Sequence, residues 1–167
     1  MSDVHFIEHK HLTQDLLDEI IRVKSVAWPY SYDEQCKWIK NNLKDSDIHV
    51  LLYDKDSLTA YLNLVEIDIE FDAVTYKGFG IGNVCAAEKG KGFGKVLIDK
   101  ANSYLVENNK VGLLFCKDQL IPFYTQCKWI LVTGKEILIS DINSHVNTFV
   151  YNAPEDFKQI KYQGIAF

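Results

Sequence analysis

Residues 84–94 read Val-Cys-Ala-Ala-Glu-Lys-Gly-Lys-Gly-Phe-Gly, and this run constrains the chain more than any other. It leaves a strand-like stretch, Phe79 to Cys85, and opens an amphipathic helix over Val96 to Val106. Gly90, Gly92 and Gly94 can take φ > 0 and let a ligand approach the backbone closely. Free backbone N–H groups and the positive end of the helix dipole then face that ligand. Lys89, Lys91 and Lys95 add positive charge. Such a loop suits a pyrophosphate.

Two common phosphate loops do not fit. The nucleotide P-loop requires Gly-Lys-Ser/Thr after its spacer, and here Gly94-Lys95 is followed by Val96. The dinucleotide fingerprint Gly-x-Gly-x-x-Gly fails as well, because neither Lys95 nor Val96 is glycine. That fingerprint also belongs to a βαβ unit with an acid about 20 residues on, whereas this loop lies mid-chain.

The 167 residues predict a single domain over 1–167, and 47% hydrophobic residues supply a core for it. No apolar stretch reaches the roughly 18 residues of a membrane span. The start, Met-Ser-Asp-Val-His, lacks a basic-then-apolar signal segment, so a cytoplasmic protein is expected. Cys36, Cys85, Cys116 and Cys127 have no paired or metal-ligand spacing and read as buried thiols. A net charge of −5 argues against a nucleic-acid partner.

The glycine run fits the pattern Gln/Arg-x-x-Gly-x-Gly/Ala, with Lys89 first, Gly92 fourth and Gly94 sixth. With a strand before it and a helix after it, it resembles the acyl-CoA motif of the GNAT superfamily of N-acetyltransferases. Lysine in first place keeps a cation but loses the planar fork of arginine. A second signature follows about one helix and one strand later. Residues 120–130 read Leu-Ile-Pro-Phe-Tyr-Thr-Gln-Cys-Lys-Trp-Ile. In the resembling family a short helix carries an aromatic-Tyr pair, and a Gly-Phe or similar pair opens the next strand. Phe123-Tyr124 and Lys128-Trp129 stand in those places, with Lys128 where glycine is usual.

Periodicity predicts a strand at His5–Glu8, helices at Leu12–Val26 and Asp33–Leu43, and strands at Ile48–Tyr53, Leu58–Phe71 and Tyr76–Cys85. After the loop helix come a strand (Gly112–Cys116), a short helix (Ile121–Cys127), a strand (Trp129–Ile139) and a last strand (Asn147–Tyr151). The order is β-α-α-β-β-β-α-β-α-β-β. It specifies an α/β (α+β) chain with a mixed, mostly antiparallel central sheet flanked by helices, the order the GNAT superfamily shows.

The resemblance implies transfer of an acetyl group from acetyl-CoA to a primary amine. It assigns the pyrophosphate to Lys89, Gly90, Lys91, Gly92, Phe93, Gly94 and Lys95. It assigns the pantetheine arm to the strand edge at Asn83, Val84 and Cys85, a form of strand addition. Tyr124 stands in the position of the acid that protonates the leaving thiolate. Many relatives carry a glutamate on the strand before the glycine loop, but Gly78, Gly80 and Gly82 occupy those positions here. Either water carries the amine's proton out, or another segment supplies the base: Glu66, Asp68, Glu70, His145 or a terminal carboxylate at Phe167, the last because the apolar tail Gly164–Phe167 looks built to dock.

Glu66, Asp68, Glu70 and Asp72 alternate with Val65, Ile67, Ile69 and Phe71, so the acids share one face of a strand. Such a row would attract a polycation; it also suits the solvated face of an antiparallel strand. Trp28, Tyr30, Tyr32 and Trp38 gather at the junction of the first two helices, as an acceptor pocket or as helix packing. A small cationic amine, polyamine or aminoglycoside-like, is the expected acceptor. A non-catalytic CoA-binding or sensor domain, a peptide or protein N-acetyltransferase and an unrelated phosphate-binding regulator are the competing readings. A homodimer through the last strands is compatible with all of them.

Overall fold

In the computed structural model, which describes residues 2–140 and 146–167, the chain begins with β1 (Ser2–Glu8), α1 (Gln14–Ala27) and α2 (Tyr32–Asn42). There follow β2 (Ile48–Asp54), β3 (Ser57–Phe71), β4 (Val74–Ala86), α3 (Phe93–Glu107) and β5 (Val111–Cys116). The last elements are α4 (Ile121–Gln126), β6 (Ile130–Leu131), β7 (Glu136–Ile139), β8 (Asn147–Tyr151) and β9 (Gln159–Tyr162). The strands form a mixed, mostly antiparallel sheet, as expected. No described helix is long and apolar enough to cross a membrane.

Local chemistry sets the boundaries. Thr13 caps α1, its hydroxyl oxygen accepting from the Leu16 N–H at 3.3 Å. Ser31 and Glu34 form a reciprocal capping box at α2. Trp28 leaves the helix with φ −130°, because Pro29 disfavours the helical region at the residue before it. Lys55 and Asp56, and then Asp72 and Ala73, take positive φ in pairs. Such tight turns match the twist of the strands they join, β2 to β3 and β3 to β4.

The chain divides into two compact units. The first holds residues up to Val65 with Ile81–Ala101. In it β1 pairs antiparallel with β2, and β2 with β3, from Ile48↔Leu64 to Asp54↔Ser57. Both faces of β2 and of the first half of β3 are buried, from Ile48 to Leu52 and from Ala60 to Val65. Ile20 and Val23 of α1, Ile39 of α2, and Leu97 and Ile98 of α3 complete this core.

The second unit holds Glu66–Gly80 with Asn102–Phe167. Here β4 pairs parallel with β5 over Gly78↔Val111, Phe79↔Gly112 and Gly80↔Leu113. β5 pairs antiparallel with β8, and β8 with β6. Glu70 and Phe71 of β3 pair with Lys161 and Ile160 of β9, which lies parallel to β7. Ile69, Phe71, Val111, Leu113, Val150, Phe157 and Ile160 pack as its core.

Several boundaries differ from the sequence reading. α3 begins at Phe93, three residues before Val96, so Gly94 lies inside its first turn and only Gly90 and Gly92 of the loop take positive φ. The strand expected over Trp129–Ile139 is two, β6 and β7, with Gly134 at φ 65° between them. β9 is an added strand whose four residues carry too little pattern to read alone.

Candidate active site

Ala87 ties the start of the glycine loop to β3 through its N–H, 2.8 Å from the Thr59 carbonyl. Gly90 and Gly92 have φ of 77° and 78°, and a Cβ at either would meet nothing within 4 Å. Backbone conformation, not crowding, therefore demands glycine. The Val96 N–H bonds to the Gly92 carbonyl at 3.2 Å and starts the helical ladder. The N–H groups of Phe93, Gly94 and Lys95 fall in the first turn, where no intrahelical acceptor exists, and that turn carries no acid. Lys91 lies 3.9 Å from Glu88, and Lys95 is paired with Asp99 at 2.6 Å. Lys89 is exposed and has no ion pair among the described residues. Lys89 is thus the loop cation without an ion pair among the described residues.

β4 reaches this loop through Asn83, Val84 and Cys85. Asn83 has φ 55°, which breaks the regular alternation of the strand. Its carboxamide N–H donates to the Asn63 side-chain oxygen on β3. Cys85 is buried, its thiol 3.8 Å from the Tyr61 carbonyl, and burial pushes it up to about 12 despite the nearby charge of Lys24. It is a neutral thiol at physiological pH.

The same unit holds a buried polar patch beneath α1 and α2. Lys24 is 2% exposed, and its ammonium lies 4.5 Å from the centroid of the Trp38 ring. Desolvation lowers it to about 8. His49 is fully buried; its Nδ1 is 2.7 Å from the Tyr61 hydroxyl and its Nε2 is 3.0 Å from His9 Nδ1. Burial, and then the charges of His9 and Lys24, bring His49 down to about 3, so the imidazole is neutral. Asn63 stands opposite His49 across the β2–β3 pair. It is fully buried, and its amide nitrogen has no hydrogen-bond partner among the described residues.

In the second unit, Tyr124 lies buried on α4, against Phe123 at 5.0 Å and Phe149 at 5.9 Å. Burial, and then the neighbouring Cys116 and Cys127, raise its pKa, so the phenol keeps its proton. The hydroxyl has no hydrogen-bond partner among the described residues. α4 is fixed from behind: Asn102 accepts from Trp129 Nε1 at 2.8 Å and donates to the Cys127 carbonyl at 2.9 Å. Lys128 takes φ 71°, the conformation that glycine would adopt most easily.

The remaining candidates are dispersed. The acid row of β3 does share the outer face, but Asp68 is paired with Lys77 at 2.8 Å and Glu70 with Lys161 at 3.5 Å. Asp72 accepts the backbone N–H groups of Lys158 and Gln159. Glu66 is exposed. Trp28 is half-buried and Tyr30 is 62% exposed, while the Tyr32 hydroxyl donates to Asp18 at 2.6 Å. His145 lies outside the described residues. The tail does dock: the Tyr162 hydroxyl donates to the Ile165 carbonyl at 2.7 Å, and the Phe167 ring stacks on Phe115 and occupies the space over Gly80. The patch around Lys24, His49, Tyr61 and Asn63 was not assigned a role from the sequence. Its signal was a histidine and an asparagine interrupting the apolar runs of β2 and β3.

The scaffold carries a glycine loop that opens α3 after a broken strand. Its architecture is the GNAT fold. Escherichia coli YhbS, a GNAT family N-acetyltransferase in complex with CoA, superposes with a TM-score of 0.69 at 11% identity, over 99% of this chain and 94% of that one. Escherichia coli ElaA gives 0.64 at 18% identity, over 90% and 99%. The Campylobacter jejuni N-acetyltransferase PseH in complex with acetyl coenzyme A gives 0.59 at 13% identity, over 89% and 97%. No protein-family model matches the sequence, and neither does any curated protein.

Proposed function

We propose that the chain transfers an acyl group, acetyl in the first instance, from acyl-CoA to the primary amine of a small molecule. The observation that carries this reading is the loop at Gly90 and Gly92. Its left-handed glycines and the acid-free first turn of α3 present backbone N–H groups to a diphosphate. YhbS and PseH, of the same fold, were crystallised with CoA and acetyl coenzyme A. The residues here fit that group: Lys89 and the loop amides for the diphosphate, and the irregular edge at Asn83–Cys85 for the extended arm.

The chemistry asks little else of the protein. The amine nitrogen attacks the thioester carbon, the C–N bond forms and the C–S bond breaks. By the GNAT resemblance the departing sulfur takes the proton of the Tyr124 phenol, and the proton lost by the amine restores that phenol through water. A phenol held protonated by burial, with a free hydroxyl, is suited to this role. Tyr124→Phe is expected to lower kcat by about tenfold or more while CoA binds with unchanged affinity in calorimetry. An unchanged rate with the true amine removes Tyr124 from the mechanism.

One observation favours a second reading. β4 presents Gly78, Gly80 and Gly82, with no carboxylate to take the amine's proton, which suits a CoA-binding domain without catalysis. Thiol release from acetyl-CoA across a panel of amines separates the two.

A further inference from the structure

Two donors on buried residues of the first unit have no oxygen partner among the described residues, and the Asn63 nitrogen is itself sealed from solvent. The Lys24 ammonium, on a residue 2% exposed, makes no hydrogen bond and no ion pair among the described residues; it rests on the face of Trp38. The Asn63 amide nitrogen, on a fully buried residue, has no partner either, because the Asn63 oxygen is the atom engaged by Asn83. His49 is the residue common to both. Asn63 is paired with His49 across the strands, so their side chains share a face. The charge of Lys24 acts on both His49 and Cys85.

Among the described residues no anion is paired with Lys24. Cys85 is a thiol, His49 is neutral and bonded on both nitrogens, the Tyr61 phenol is bonded to His49, and Trp38 offers only its ring. A buried cation without a counter-ion and a buried amide N–H without an acceptor are each costly, and native proteins rarely keep either without a use. Both unmet groups are donors, and together they carry one positive charge. A carboxylate matches that count: one negative charge, with an oxygen for each donor. A polycation does not, since Lys24 would repel it.

We propose that Lys24 and Asn63 form a carboxylate-binding subsite, so that one of the two molecules joined in the reaction carries a carboxylate. This deepens the acyl-transfer reading and rests on it. The carboxylate belongs either to the amine, as in an amino acid, or to the acyl chain, as in succinyl-CoA.

The test uses the intact protein, saturated with CoA for the first arm and free of cofactor for the second. Calorimetry compares free amino acids with their primary amides, and, in a second arm, succinyl-CoA with acetyl-CoA. We expect about a tenfold or greater preference for the acid in one arm, the worth of a charge-assisted bond, and that arm names the source. Lys24→Met should abolish the preference while the affinity for CoA stays within about twofold. Equal binding of acid and amide together with equal binding of the two thioesters overturns the subsite, and this comparison needs only the wild-type protein. Failure of CoA itself to bind overturns the acyl-transfer reading instead, and the amino acid and amide titrations still decide whether the subsite exists.

Discussion

The Lys24 ammonium lies 4.5 Å from the centre of the Trp38 ring, and it has no hydrogen bond or ion pair among the described residues. Folding therefore takes a cation out of water with little return, since a cation–π contact returns only about 0.5–2 kcal/mol. Its pKa falls from 10.5 to about 8. Below pH 8 both folded and unfolded chains hold the proton, and the full penalty applies. Between pH 8 and 10.5 the folded protein releases it first, the unfolded chain binds more protons, and stability rises with pH. Lys24→Met should therefore stabilise the protein by roughly 2 kcal/mol at pH 7, with the advantage shrinking by pH 10. Urea unfolding at both values checks it; a destabilised variant at pH 7 would show that the charge has a partner.

His49 gives the opposite end of the pH range. Burial first, then the charges of His9 and Lys24, hold it at about 3 against 6.5 in a free chain. As pH falls through that window the unfolded chain takes up a proton that the folded protein refuses, so stability is lost on acidification. Between pH 7 and pH 4 the wild type should lose on the order of 3 kcal/mol more than His49→Gln. Parallel pH profiles for the two proteins would sink the assignment.

The elements that were legible in the sequence are those with long-range pattern or turn chemistry. The acid-apolar alternation of Glu66–Asp72 placed β3 correctly because one of its faces meets solvent. Thr13 and Pro29 bounded α1 because capping and proline sterics act within a few residues. The glycine loop was legible because left-handed turns such as those at Gly90 and Gly92 favour glycine. What escaped was set by distant partners. β6 and β7 look like one apolar strand; the break at Gly134 is visible only when β6 is seen to pair with β8 and β7 with β9. The helical pattern puts the stem of Lys24 along the buried face of α1 but does not say where its ammonium ends, since lysine heads usually reach solvent. The orphaned nitrogen of Asn63 depends on Asn83, 20 residues away in the chain, and no local pattern encodes such a pairing.

The loop glycines can be tested separately from general strain. A Cβ at Gly92 has open space but would sit on a left-handed backbone, as would one at Gly134, at φ 78° and 65°. Each alanine variant should cost about 1–2 kcal/mol if the backbone holds its conformation. Only Gly92→Ala should weaken CoA binding, by about tenfold, because the strain is relieved by turning an amide away from the diphosphate. Equal CoA affinity in the two variants would mean that the loop does not grip the cofactor through its backbone.

Lys128 occupies the left-handed position that closes α4. Its N–H bonds to the Thr125 carbonyl at 3.1 Å, and the following Trp129 N–H bonds to the Tyr124 carbonyl at 3.1 Å. This is a helix terminus at which glycine is favoured, because a side chain there places Cβ against the carbonyl oxygen. Lys128 is exposed and has no ion pair among the described residues, so its side chain offers nothing to offset that strain. Lys128→Gly should raise stability by about 1 kcal/mol and Tm by roughly 2–4 °C. Lys128→Val, β-branched at the same φ, should lower both. The pair is informative because neither variant alters the Asn102 bonds that hold α4 from the other side. A glycine variant that melts lower than the wild type would show that Lys128 is fixed by contacts rather than tolerated by them.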